Sequence, residues 1–358
     1  MLITTVIGTP QQLVKAVMVS KAFEKAGIKE RLIHSGQRSG EEMPFTFFRE
    51  LGLREPEKNL ELESGSHASQ TAKALQALEI DFNACRPDAV LVYGDTNTTL
   101  AGALAGSKLN IPVIHFEAGL RSFNRTMQEE INRLAVDRVS TLLFAPTREA
   151  VKNLKREGIK RNHIAMTGDV MCEALLHFGK IAEERSRILD TLALKPRSYN
   201  LLAVHPPSDL DDAQKLRAYL QGISESGGTT VFPVHPRTTS MLEAAGKSSF
   251  PNVRMISPCG YLDMIKLGKR AKLIVTDTGE VQKEAYIHKV PCITLRPGTE
   301  WTETTRNGWN RILGEDAGRL KELLAAPCRQ ASWRSHYGDG DAAAQAAAAI
   351  QTFFREGK

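Results

Sequence analysis

At 358 residues the chain is too long for one ordinary hydrophobic core, so two domains are expected. Charged residues make up 25% and hydrophobic ones 42%, as in soluble globular proteins, and no apolar stretch approaches the roughly 20 residues of a membrane helix. The net charge of +6 suits a protein that handles anions, yet the densest basic run (Lys152, Lys155, Arg156, Lys160, Arg161) lacks interleaved aromatics and reads as a solvated helix face, which argues against nucleic acid as a partner.

Leu2 to Ile7 has the make-up of a buried strand, Gly8 ends it, and Leu13 to Ala26 has helical periodicity. The opening MLITTVIGT shows neither a basic leader nor a long apolar core, so no signal peptide is expected. Glu30 to His34 is a second strand, followed by a Ser/Gly turn and a helix near Pro44 to Leu51. Ser64 to Cys85 reads as a long helix entered through Ser64, Ser66 and Ser69. Two apolar runs then stop on polar residues: LVYGD, ending at Asp95, and IPVIHFEAGLR, whose run Ile111 to Ile114 leads to His115, Glu117 and Arg121. MQEEINR opens a helix bearing Glu129, Glu130 and Arg133. A strand at Leu142 to Ala145, a helix capped by Thr147 and a short strand at His163 to Thr167 follow.

Strands alternating with helices predict a parallel sheet with helices on both faces. A mostly polar helix from Cys172 to about Leu192 and the KPRSYN turn interrupt the alternation, which then restarts. Leu201 to Val204 precedes His205, Thr229 to Val234 precedes His235, and Val253 to Ile256 precedes the turn before Tyr261. Leu273 to Thr276 then leads to Asp277, and Cys292 to Leu295 to Arg296. The expected fold class is therefore α/β, with two doubly wound Rossmann-like domains facing a cleft suited to a nucleotide-linked substrate. The first domain takes residues 1–170, a linker helix 171–198 and the second domain 199–337. Residues 338–358 form an alanine-rich helix that returns to the first domain through Ile350, Phe353 and Phe354.

Ligands of parallel sheets collect outside the carboxyl ends of the strands, so Asp95, Glu117 and Glu130 are expected to point into one crevice. For any one of them a plainer reading exists, namely helix capping by Asp95 or charge pairing of Glu117 with Arg121. Three acidic positions at successive strand ends or helix starts go beyond it. In GTPQQLVK, Gly8 leads into a helix with Lys15 one turn in, the outline of an anion site. The segment has neither GxGxxG nor GKS, so no NAD or ATP site is expected. TDTGEVQKEA ends a strand on Asp277 and opens a second helix, whose N–H groups at Thr278 and Gly279 suit a phosphate, with Glu284 one turn on suiting ribose hydroxyls. His205 and His235, each directly after a strand, are candidates for catalysis or phosphate contact, and without HxH or HxxxH spacing no metal is expected. Cys85, Cys172, Cys259, Cys292 and Cys328 show no CxxC spacing, which argues against a zinc site or disulfide scaffold and for a reducing cytoplasm.

The run GDTNTTLAGALA, IPVIHFEAGLRS, EEINR, VHPRT, TDTGEVQKEA and TLRPGTEW, in this order, resembles the non-hydrolysing UDP-N-acetylglucosamine 2-epimerases over nearly the whole chain. The likeness is greatest to the branch acting on UDP-diacetamido-glucuronic acid in bacterial polysaccharide synthesis. It implies the two-domain GT-B fold and inversion at C2 of a UDP-sugar by elimination and re-addition of UDP, without a cofactor and under domain closure. Position by position, it implies acid/base roles for Asp95, Glu117 and Glu130 and a catalytic role for His205. It also implies a phosphate turn at Thr278 and Gly279, a ribose contact at Glu284 and the first-loop lysine at Lys15. Gly8, Arg121, Arg133, His235 and Arg296 complete the candidate substrate-binding set. A homodimer is implied too, as is an allosteric substrate site near Gln37, Arg38 and His235.

The departures from the family pattern concern the phosphate. GTRPE becomes GTPQQ, so Pro10 stands where an arginine grips the diphosphate; HTGQH becomes HSGQR, with Arg38 for a histidine; HRxEN becomes HPPSD at His205 to Asp209. DSGG becomes DTGE, which sets the charge of Glu280 beside the phosphate turn, and PEE becomes QEE through Gln128. Proline does not replace a charge-assisted arginine contact, and Arg38 or Arg121 are the residues read as compensating. The expected function is a UDP-sugar 2-epimerase. The alternatives are an enzyme that hydrolyses the glycal, or transfers the sugar as a GT-B transferase does, and a nucleotide-sugar binder without catalysis.

Overall fold

The structure, a computed structural model, describes residues 1–36, 51–62, 65–205, 210–244, 250–314, 316–326 and 332–356. The chain divides into two compact units, Met1–His177 with His336–Lys358, and Phe178–Ser335.

Unit 1 runs β1 (Leu2–Ile7), α1 (Pro10–Lys25), β2 (Lys29–His34), β3 (Lys58–Asn59), α2 (His67–Cys85), β4 (Ala89–Tyr93) and α3 (Asn97–Lys108). It continues with β5 (Val113–Phe116), α4 (Gln128–Val139), β6 (Leu142–Ala145), α5 (Arg148–Arg156), β7 (Ile164–Met166) and the start of α6 (Val170–Arg185). The strands form one parallel sheet in the order β3-β2-β1-β4-β5-β6-β7. β4, β5 and β6 are buried along their whole length, the mark of strands covered on both faces. Val6, Ile33, Val90, Val92 and Val113 of the sheet pack with Ala74, Leu78 and Phe82 of α2 and Val136 of α4.

Unit 2 repeats the plan with α7 (Ile188–Thr191), β8 (Tyr199–Ala203), α8 (Leu210–Glu225), β9 (Thr229–Pro233), α9 (Pro236–Ala244), β10 (Val253–Ile256) and α10 (Tyr261–Arg270). Then come β11 (Leu273–Thr276), α11 (Gly279–Ile287), β12 (Cys292–Thr294), α12 (Thr302–Arg306), β13 (Asn310–Ile312) and α13 (Leu320–Ala325). Its parallel sheet has the order β10-β9-β8-β11-β12-β13. Leu202, Phe232, Val275 and Ile293 of the strands, with Leu313 just after β13, bury against Leu220, Ile223 and Leu320 of the flanking helices.

In each sheet the winding reverses once, between β1 and β4 in unit 1 and between β8 and β11 in unit 2. Such reversals open a crevice at the carboxyl ends of the strands. The loops after β1 and β4 carry Gly8 and Asp95, and those after β8 and β11 carry His205 and Asp277.

The two doubly wound α/β sheets expected from the alternation are present, and α14 (Ala342–Arg355) lies on α1. Its Ala343, Ala346, Ala347 and Ile350 are buried, Gln351 Nε2 donates to Ala26 O (2.8 Å), and Glu173 Oε2 accepts from Ala343 N (2.7 Å). One helix expected from Cys172 to Leu192 is in fact two, α6 and α7. Ser186 causes the break: its hydroxyl donates to Asp263 Oδ1 (2.5 Å) and accepts from Ile188 N (3.3 Å), which turns the chain. The long helix α2 begins at His67, because Ser66 is its cap and accepts from Ser69 N. β3 and β13, of two and three residues, are too short to show a periodicity. The helix expected near Pro44 to Leu51 falls on 37–50, outside the described residues but for its last position.

Among the described residues no helix is long and apolar enough to cross a membrane.

Candidate functional site

In unit 1 the site is built on the first loop. Thr9 caps α1 and Pro10 takes its first turn, where a missing N–H costs nothing. The Gln12 amide does the fastening. Its oxygen accepts from Gly8 N (2.8 Å), and its nitrogen donates to Tyr93 O (2.8 Å) and Thr99 Oγ1 (3.0 Å). The ends of β1 and β4, neighbours at the reversal, are thereby tied together. Sequence reasoning passed over Gln12; its place three residues after a capping threonine was the signal.

One helical turn further, the buried Lys15 places Nζ 2.5 Å from Glu117 Oε2. Glu117 follows β5 with φ +67°, a region uncommon for side chains of its kind. Gly94, also at positive φ, makes room for it: a Cβ there would stand 3.1 Å from Glu117 Oε2. The carboxylate of Glu117 therefore lies against the turn that presents Asp95.

Arg133, on the first turns of α4, holds the other two acids. Its Nη2 is 2.6 Å from Asp95 Oδ2 and its Nη1 3.3 Å from Glu130 Oε2. Glu130 also accepts from Ser122 N (2.8 Å), Ser122 Oγ (2.8 Å) and Phe123 N (3.1 Å). Burial alone would raise its carboxyl, but the Ser122 bonds, the Arg133 charge and the Phe123 N–H together hold it below the ordinary carboxylate range. Asp95, Glu117 and Glu130 thus gather at the ends of β4 and β5. They differ in access: the Asp95 side chain is 27% exposed, against 8% for Glu117 and 2% for Glu130.

The plainer readings of these acids do not hold, because Thr96 caps α3 in place of Asp95 and Glu117 pairs with Lys15 and not Arg121. Arg121 turns inward. Its guanidinium is buried and committed to Asp137 Oδ2 (2.7 Å), to both oxygens of Glu157 (2.7 and 2.6 Å) and to Leu120 O (2.6 Å). These four hydrogen bonds engage all three guanidinium nitrogens with the protein itself, the mark of a scaffold residue. The same Asp137 accepts from Gly119 N (3.0 Å) and meets His115 Nδ1 at 2.7 Å, while His115 Nε2 meets Gly94 O at 2.8 Å. Burial would raise Asp137, but His115 and Arg121 outweigh it and its carboxyl lies below the usual range. A buried ionic lattice under β5 thus props the turn at Gly94.

In unit 2, His205 follows β8 with a half-exposed side chain. Its backbone N donates to Asp277 (3.2 and 3.3 Å), and its Nδ1 is 3.6 Å from Asp277 Oδ1. His205 and Asp277 face each other across the reversal of the second sheet. His235, one strand away after β9, gives its carbonyl to Thr239 N, the first bond of α9. Arg296 is half-buried after β12.

The expected phosphate turn is altered in detail. Thr278 caps α11 by accepting from Val281 N (3.3 Å), but its own N–H is spent on Thr276 Oγ1 (3.1 Å), so the turn's N–H groups toward a ligand are those at Gly279 and Glu280. Glu280 does not confront that turn with a bare charge. It pairs with the fully buried Lys283 (3.1 Å), whose Nζ stands 4.0 Å from the Trp301 ring centroid. Glu284 is half-buried within α11. The following loop is pinned by polar groups that sequence reasoning did not single out. Gln282 Oε1 accepts from Thr299 Oγ1 (2.6 Å) and Asn310 Nδ2 (3.1 Å), and Thr299 Oγ1 accepts from Trp301 N (3.1 Å). Gln37 and Arg38 lie outside the described residues. Among the described residues no group of three or more His, Cys, Asp or Glu side chains is arranged to hold a metal ion.

The family model described as UDP-N-acetylglucosamine 2-epimerase matches residues 21–351. A UDP-N-acetylglucosamine 2-epimerase homolog of Methanococcus maripaludis is 44% identical over 348 residues, covering 95% of this chain and 97% of that one. The UDP-2,3-diacetamido-2,3-dideoxy-D-glucuronate 2-epimerase of Pseudomonas aeruginosa is 39% identical, with 95% of each covered. Among solved structures, the UDP-GlcNAc 2-epimerase of Methanocaldococcus jannaschii in complex with UDP-GlcNAc and UDP superposes with a TM-score of 0.89 at 38% identity, over 98% of this chain and 100% of that one.

Proposed function

The chain belongs to the UDP-N-acetylglucosamine 2-epimerase family, and from that membership we propose that it inverts C2 of a UDP-linked 2-acetamido sugar by elimination and re-addition of UDP. The observation that carries the proposal is the acid cluster at the β1/β4 reversal, with Asp95 and Glu130 on one guanidinium and Glu117 on Lys15. Such a cluster supplies two carboxylates that differ in exposure, as proton removal on one face of a ring and return on the other require.

Asp95, the most open of the three, takes the C2 proton. The C–H electron pair becomes the C1–C2 double bond, and the C1–O bond breaks with its electrons passing to the diphosphate oxygen of UDP. The glycal turns over, UDP oxygen adds back to C1, and the Lys15–Glu117 pair hands the proton it shares to C2 on the opposite face, after which the proton held by Asp95 returns to that pair through solvent. Glu130 acts through others: by holding Ser122, Phe123 and Arg133 it fixes the direction of the Asp95 carboxylate. His205, positioned by Asp277, serves the departing UDP, with the first turn of α11 as its phosphate seat and Glu284 as its ribose contact. The 2-acetamido group, and a further 3-acetamido and uronate group in the relative from Pseudomonas, define the substrate class.

The resemblance further suggests a cytoplasmic homodimer, which sedimentation of the purified protein tests. The chemistry is tested with UDP-N-acetylglucosamine and its diacetamido uronate analogue in deuterated water, followed by NMR at C2. Interconversion of the two epimers with deuterium washed into C2 is the expected result. Free sugar plus UDP, without an epimer, points to the hydrolysing reading, for which Pro10 in place of a phosphate-binding arginine is the motive. Absence of exchange and of UDP release on every such sugar rejects catalysis.

A further inference from the structure

The first turn of α11, proposed above as the seat of the UDP diphosphate, already has a carboxylate in it. A Cβ built on Gly279 would collide with Glu300 Oε1, and it would stand 3.1 Å from Glu300 Cδ and 3.0 Å from Trp301 Nε1. Glu300 Oε1 therefore occupies the volume that the missing side chain of residue 279 leaves open, at the positive end of a nine-residue helix. It is not there by slack in its loop. Thr299, before it, is bonded to Gln282 Oε1 at 2.6 Å; Trp301, after it, is 2% exposed and donates its backbone N–H to Thr299. With both neighbours pinned, the main chain at 300 is held and its side chain is directed at Gly279. The surroundings favour an anion on two counts, the helix terminus and the indole N–H of Trp301, while the buried ammonium of Lys283 over the same indole offsets the nearby Glu280 charge.

We propose that Glu300 is an internal stand-in for the substrate diphosphate: its carboxylate fills the anion seat of α11 when no nucleotide is bound, and rotates out on the pinned backbone when UDP or the UDP-sugar arrives. The seat is thereby kept satisfied without substrate, since a helix terminus with no acceptor leaves donors unused. Every phosphate that binds must first displace a charge of its own sign, so Glu300 sets the affinity for the diphosphate and not for the uridine. The inference rests on the reading of α11 as the diphosphate seat, and the test below separates the two.

UDP and uridine are titrated calorimetrically into the full-length wild type and into Glu300→Gln and Glu300→Ala. The expected result is UDP binding about three- to tenfold tighter in both variants with uridine unchanged, the size of a charge–dipole contact no longer opposed. Unchanged or weaker UDP binding in the variants, beside a wild type that prefers UDP to uridine, overturns the role of Glu300 and leaves the seat intact. A wild type that binds UDP no better than uridine removes the seat itself, and the stand-in with it. Glu300→Asp is the control for a misfolded loop: its charge is kept but its reach is shorter, so UDP affinity between wild type and Glu300→Gln is expected.

Discussion

Lys15 Nζ and Glu117 Oε2, from positions 102 residues apart, lie 2.5 Å from each other with both side chains nearly out of solvent. A buried pair of this kind gains little overall, because two desolvation costs offset the attraction, but removing one partner strands the other. Lys15→Met is therefore expected to cost about 3–5 kcal/mol in urea unfolding and to abolish turnover. The double variant Lys15→Met/Glu117→Gln should regain much of the stability and none of the activity. If Lys15→Met costs less than about 1 kcal/mol, the pair is not the anchor described.

Asp95→Asn separates chemistry from architecture. Arg133 keeps Glu130 as a partner, and Asp95 is the most open of the three acids, so stability should change by less than about 1 kcal/mol. Turnover and C2 deuterium exchange should fall together by about 10²–10⁴-fold, with UDP affinity within twofold of wild type. Retained exchange in this variant would move the proton-removing role to another carboxylate.

Lys283 and Glu280 invite a coupled test. Lys283→Met keeps the bulk beside Trp301 but removes the ammonium that pairs with Glu280 at the phosphate turn, and UDP affinity should drop about tenfold. Adding Glu280→Gln should restore it, and calorimetry on the four proteins gives the coupling directly. Additive effects would mean that Glu280 does not act on the nucleotide.

The pH profile of stability has an identifiable contributor in unit 2. Burial would raise the Glu183 carboxyl, but Arg270, Lys266 and Lys269, all within 3.1 Å, outweigh it and bring it down to about 2. A depressed folded value means stabilisation that is complete above the unfolded value of 4.5 and is lost as pH falls from there toward about 2. Urea unfolding of wild type and Glu183→Gln should differ by about 1–2 kcal/mol at pH 7, solvent screening taking up part of the shift, and converge near pH 2. A constant gap across that range would exclude the linkage.

What could be read from the residues alone was position along the chain. Apolar runs ending on Gly94–Asp95, on His115–Glu117 and on Asp277 mark strand ends, and strand ends of a parallel sheet lie on one side whatever the loops do. What could not be read was which charge meets which. Arg121 and Arg133 each follow an acid by a few residues and looked alike as substrate contacts. Only the fold shows one committed to Asp137 and Glu157 and the other bridging Asp95 and Glu130. Glu280 was read only as a negative charge beside the phosphate turn; that Lys283, one turn on, pairs with it and lies over the Trp301 ring shows only in the fold. Gln12 and Gln282 escaped notice for the same reason: an amide declares its role through its acceptors and donors, and these lie on other strands and loops.

The placement of α14 on α1 has a bearing on how the molecule is made. The ribosome delivers every residue of unit 2 before the helix that covers α1 emerges. During synthesis α1 must therefore wait with one face bare while the second sheet is assembled, and a pause or cut before Ala342 would leave that face exposed to chaperones and proteases.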